Sequence, residues 1–196
     1  LLPSHTPIEN SGVCPVLPTS RTMVVDGRTN DWEGMLRARV TEASHVSHAE
    51  AVIMDQEISG GSDDLSFAFA GCHDPAALYL LVEVKDDRLQ TAHPYWKGDS
   101  IQWAIDTTCE RRDKGYGSGD FSFGVALEAG RATTLIDHRP DGVAITPSAV
   151  RSAMQLSDSG YIVEMAVAWE ALGVDSGRVP AQMGFSMVVN DTDGAG

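Results

Sequence analysis

Cysteine is scarce in these 196 residues, and none of the three, Cys14, Cys72 and Cys109, falls in a CxxC pair. That pattern excludes a zinc site of the usual spacing. Basic residues are scarce too, 14 Lys and Arg against 28 Asp and Glu, for a formal charge of −14. So acidic a surface repels phosphate backbones and anionic lipid, which argues against nucleic acid or a membrane surface as partner. Calcium or a neutral ligand fits better. No apolar run approaches the roughly 20 residues of a membrane helix, and the opening on Leu1 rather than methionine suggests a processed or trimmed protein. Catalytic fingerprints are missing as well: there is no nucleophile elbow, HExxH, phosphate loop or dinucleotide glycine pattern. His45 and His48, three apart, are weak metal candidates.

What is present is alternation. Leu65, Phe67 and Phe69, then Leu78, Leu80, Val82 and Val84, then Tyr161, Val163, Met165 and Val167 recur at every second position, the period of half-buried strands. Phe121, Phe123, Val125 and Leu127, and later Met183, Phe185, Met187 and Val189, extend the set. Turn-forming stretches separate the runs, at 25–31, 59–64, 71–77 and 138–142. Only 168–174, AWEALGV, reads as helix, and it is short. The expected fold is all-β, an antiparallel β-sandwich of jelly-roll type with one short helix. Residues 1–20, with several prolines and little periodicity, are expected to wrap the surface, and 21–196 to form the sandwich. If the strand at 78–84 pairs with 100–106, Cys72 and Cys109 fall near one end of a sheet. A disulfide between them and separate thiols both stay open.

The segment with the most chemistry is PYWKGDSIQWAID, 94–106. On a strand, Gln102 shares a face with Ala104 and Asp106, while Ile101, Trp103 and Ile105 point the other way. Trp96 stands beside it on a proline-bearing loop. A flat ring beside an amide suits a sugar, whose C–H face packs on an aromatic plate and whose hydroxyls need fixed polar partners. Gln102 both donates and accepts. By itself Trp96 reads more readily as a loop aromatic covering the core than as a ligand platform. Trp32 and Trp103 read as core, and Trp169 as packing.

Taken in order, VDGRTNDW (25–32), LYLLVEVKDD (78–87), WKGDSIQWAID (96–106), GYIVEMAVAWEALG (160–173) and GFSMVVNDTD (184–193) resemble the family 9 carbohydrate-binding modules and their DOMON-like relatives. The resemblance implies a jelly-roll β-sandwich with a sugar site on one sheet face and bound calcium. It also implies non-catalytic carbohydrate binding, as a module of a secreted polysaccharide-active protein with a covalently linked catalytic domain. Trp96 matches the family's first stacking tryptophan, and Gln102 stands where the family has a carboxylate, with Tyr95 and Asp99 as neighbours. Gly124 falls near the position of a family arginine. The family continues past its N-D-x-D motif with another tryptophan and a last strand, positions beyond Gly196, so 21–196 is expected to lack that strand.

Acidic residues at strand ends suit calcium, which takes six to eight oxygens. The candidate ligands are Asp26, Asp31, Asp86, Asp191 and Asp193. Two other functions compete. DOMON-like domains include b-type haem electron-transfer modules, which need a Met and a His or Lys on opposite sides of the cofactor; Met54, Met154, Met165, Met183 and Met187 lie on or near strand-like runs, and most of them read as core filler. A glycoside-active enzyme needs two carboxylates at a set separation, which chance supplies among 28 acidic residues.

Overall fold

The computed structural model describes residues 16–40, 64–110, 115–128, 131–175 and 177–192. The alternating runs become strands of two facing sheets. One sheet holds β1 (Leu17–Pro18), β2 (Ala38–Val40), β3 (Leu65–His73), β4 (Ala77–Asp86), β8 (Val150–Ser157) and β9 (Gly160–Ala168), in the order β1-β3-β4-β9-β8 with β2 also on β3. The other, ordered β10-β5-β6-β7, is built from β5 (Ser100–Asp106), β6 (Asp120–Glu128), β7 (Arg131–His138) and β10 (Gly184–Asn190). Every pairing is antiparallel except β1 with β3.

Between the sheets lie the residues the alternation predicts. Leu80, Val82, Ile101, Trp103, Phe123, Val163 and Met165 belong to one buried cluster. The methionines considered as haem ligands are part of this packing: Met165 is fully buried in it, and Met154, Met183 and Met187 pack against it. Met54 lies outside the described residues, as do Cys14, His45 and His48.

β4 is apolar on both parities because both its faces are covered. Its outward side chains Tyr79 and Leu81 join Ala70, Cys72 and Ala166 under Met23 and Trp32 in a second buried cluster, with Val25 and Met35 packed against it. The covering segment includes residues from Met23 to Met35. Glu164 of β9 fastens it. The Glu164 carboxylate accepts the Trp32 indole N–H at 2.6 Å and the backbone N–H groups of Asp26, Gly27 and Arg28 at 2.9, 2.6 and 3.2 Å. Gly27 has φ of 79°, and a Cβ there would meet the Met154 carbonyl carbon at 2.6 Å, so only glycine suits this close approach.

One expectation is corrected. β4 and β5 lie in different sheets, so the pairing that would bring Cys72 and Cys109 together does not form, and both are free thiols. Burial, with Asp74 nearby, pushes the Cys72 thiol up to about 12. The short helix is a single 3-10 turn, Trp169–Leu172, ended by Gly173 at φ 67°. Trp169 anchors it by donating its indole N–H to the Asp74 carbonyl at 2.8 Å. Among the described residues no helix is long and apolar enough to cross a membrane.

Candidate functional site

The outer face of the four-stranded sheet carries the residues singled out at 94–106. Gln102 pairs across the ladders with Val188 on one side and Gly124 on the other, and Gly124 with Leu135. Over Gly124 lies the ring of Tyr95, from a 3-10 turn at Tyr95–Lys97. A Cβ on residue 124 would fall 2.1 Å from the Tyr95 hydroxyl, so the glycine is what lets the ring lie on the sheet. Tyr95 is therefore buried, not an open sugar contact. Its hydroxyl donates to Asp137, which sits at an irregularity in the β6–β7 register. Burial first, then this bond, raises the Tyr95 pKa, and Gln102 contributes an opposing hydrogen bond.

A chain of polar groups results. The Asn190 amide donates to Gln102 Oε1 at 3.2 Å and to Ser100 Oγ at 3.0 Å, Gln102 bonds the Tyr95 hydroxyl, and Tyr95 bonds Asp137. It crosses the sheet from β10 to β7. At its border stands Trp96, 48% exposed, with its ring edge-on to Tyr95 at 82° and 5.5 Å between centroids. An exposed plate next to fixed donors and acceptors is chemically suited to a sugar ring.

Asp99 belongs elsewhere. It is buried, with its carboxylate accepting the N–H groups of Gln90 and, at 2.9 Å, Thr192. Asp86, Asp99 and Asp191 bring carboxylate oxygens within 4.8 Å of one another. Asp86 ends β4 in the first sheet, while Asp99 precedes β5 and Asp191 follows β10 in the second, so the cluster spans the sandwich at one end. The buried Tyr161 hydroxyl has no hydrogen-bond partner among the described residues. Burial raises its pKa well above the usual value, and the charges of Asp99, Asp86 and Asp191 raise it further.

Two of the other metal candidates do not join this cluster. Asp26 accepts the Arg28 N–H at 3.0 Å and Asp31 the Val24 N–H at 2.8 Å, each serving the turns of the covering segment. Such turns use aspartate as a local cap. Asp193 lies outside the described residues.

The description "carbohydrate family 9 binding domain-like" matches residues 40–196. The chain belongs to this family. It is a binding module, not a catalytic domain, with the β-sandwich fold. In solved structures, a family 9 carbohydrate-binding module from Caldicellulosiruptor kristjanssonii in complex with cellotriose superposes with a TM-score of 0.63 at 22% identity, covering 91% of this chain and 77% of that one. Its complex with glucose gives 0.62, also at 22% identity, covering 91% of this chain and 78% of that one. In sequence, the exoglucanase XynX of Acetivibrio thermocellus is 28% identical over 135 residues, 68% of this chain and 11% of that protein. Endo-1,4-beta-xylanase A of Thermotoga maritima is 29% identical over 121 residues, 61% of this chain and 10% of that protein. The chain thus spans about a tenth of the length of these curated relatives.

Proposed function

We propose that this module binds carbohydrate on the outer face of the four-stranded sheet, with Trp96 stacking on a sugar ring and Gln102 and Asn190 holding its hydroxyls. The observation that carries the reading is the exposed Trp96 ring bordering the polar chain Asn190–Gln102–Tyr95–Asp137. Glucose and cellotriose, the ligands named for the superposing module, are natural first probes. Because the chain matches only a part of an exoglucanase and of a xylanase, we take it as a module joined to a catalytic domain in a secreted protein.

Calcium is the metal whose chemistry fits the cluster. Three carboxylates this close repel one another, and a hard divalent cation taking oxygen ligands relieves that repulsion. Asp86, Asp99 and Asp191 would hold it, with the Tyr161 hydroxyl nearby to complete the polar surroundings.

Trp96→Ala is expected to weaken sugar binding by about 1–3 kcal/mol, roughly five- to a hundredfold, without changing the melting temperature. Calorimetric titration with cellotriose beside a thermal melt checks both parts. A melt that collapses with residual affinity intact would make Trp96 a core residue. A second variant tests the floor of the site. Gly124→Ala should expel the Tyr95 ring, break its bond to Asp137 and cut affinity at least tenfold, since the added Cβ overlaps the hydroxyl. Unchanged cellotriose affinity in that variant would show that the polar chain does not take part.

A further inference from the structure

The polar chain beside Trp96 has a fixed donor-to-acceptor sense, which can be worked out from its two ends. The Ser100 hydroxyl donates to the Gly98 carbonyl at 3.0 Å, so its oxygen is left to accept the Asn190 amide N–H, also at 3.0 Å. Asn190 gives its other N–H to Gln102 Oε1 at 3.2 Å. At the far end the Tyr95 hydroxyl gives its one proton to the Asp137 carboxylate, so toward Gln102 its oxygen can only accept. The influence of Gln102 on the Tyr95 pKa has the sign of such a donor.

What remains for a ligand follows by subtraction. Both Asn190 N–H groups, the Ser100 and Tyr95 hydroxyls and one Gln102 N–H are taken up within the protein. Asn190 Oδ1 and the second Asp137 oxygen accept no hydrogen bond from the described residues, and Gln102 Oε1 keeps a lone pair. Apart from the last Gln102 N–H, the chain offers acceptors. Asp137 is exposed and forms no ion pair among the described residues. Its neighbour Arg139 donates instead to the Val143 carbonyl at 2.7 Å. Lys97, which follows Trp96, is one positive charge in a protein of formal charge −14.

An acceptor-rich face in a negative field favours a ligand that brings donors and positive charge. An ammonium group brings three donors and no acceptor. The exposed Trp96 ring adds a cation–π surface, and only the Tyr95 ring separates that plate from the Asp137 carboxylate.

We propose that the site prefers amino sugars, saccharides whose rings carry a free ammonium group, over neutral ones, and that Asp137 is the residue that reads the charge. This rests on the sugar-binding reading above.

The test titrates the wild type calorimetrically with glucose, glucosamine and N-acetylglucosamine, and with cellotetraose and the fully deacetylated glucosamine tetramer. Glucosamine and its tetramer should bind about three- to tenfold tighter than their neutral counterparts. N-acetylglucosamine keeps the nitrogen without the charge and should lose that gain, and added salt should shrink it. In Asp137→Asn the ratio of glucosamine to glucose affinity should fall to near one. Asp26→Asn, on the cover of the opposite sheet, removes the same charge elsewhere and should leave the ratio intact. Glucosamine bound no tighter than glucose overturns the inference while leaving the Trp96 reading in place. A ratio unchanged in Asp137→Asn, or equally reduced in both variants, assigns the preference to bulk charge and overturns the role of Asp137. Wild-type protein that binds none of these sugars overturns both readings.

Discussion

Glu164→Ala is expected to destabilise the fold by on the order of 3 kcal/mol or more, lowering the melting temperature by about 10 °C. The Glu164 carboxylate is 2% exposed and accepts four N–H groups. Removing it strands donors at different depths. Asp26 and Arg28 lie toward solvent, where water replaces the lost partner, but the Trp32 indole is 1% exposed and the Gly27 N–H bond is buried. A buried donor without a partner costs about 1–3 kcal/mol. With Trp32 unfastened, the cover over Tyr79, Leu81 and Ala166 loosens as well.

Acidity gives an independent check on the same group. Burial raises the Glu164 pKa above the usual carboxylate range, and the bonds from Trp32, Asp26, Gly27 and Arg28 oppose but do not cancel it. The folded state then holds its proton more tightly than the unfolded one. Stability from this residue must fall as pH rises from the unfolded value near 4.3 through the raised folded value. Glu164→Gln should flatten that part of the stability curve. A melting temperature unaffected by Glu164→Ala would show that the carboxylate does not hold the cover.

Much of this was legible as sequence, for reasons specific to each element. β4 and β9 declare themselves because their inward residues alternate, and Gln102 is assigned its face by parity alone. The outer cover was harder to read. Tyr79 and Leu81 fill the off-parity positions of β4, a sign that its second face is buried, but what buries it comes from 23–35 by tertiary packing. Glu164 carried a signal too, as one acid in the apolar run YIVEMAVA.

The residues proposed for sugar and for metal divide differently. Asn190 follows from parity once β10 is paired with β5, since it lies opposite Ser100 on the Gln102 face. Asp137 does not, because the irregularity in the β6–β7 register puts it out of step. No local feature distinguishes Asp86, Asp99 and Asp191 from Asp26 and Asp31, all at turns or strand ends. Only the meeting of the two sheets separates the cluster from residues that merely cap a turn.

Chelation is expected to lower the melting temperature by about 6–15 °C if calcium occupies that cluster at working concentration. An ion that binds only the folded state adds about 2.7 kcal/mol at a hundredfold excess over its dissociation constant and about 4.1 at a thousandfold, and each kcal/mol moves a domain of this size by about 2–4 °C. The loss should extend to sugar binding. Asp99 is the chain neighbour of Ser100 and Asp191 of Asn190, the two ends of one hydrogen bond in the proposed sugar site. Charge repulsion among the three carboxylates would push those strand ends apart. Asp99→Asn should abolish the response to chelator, whereas Asp26→Asn and Asp31→Asn should preserve it, since those carboxylates serve turns of the cover. Identical melts with and without chelator, together with no calcium in elemental analysis of the purified protein, would mean that the cluster holds no ion.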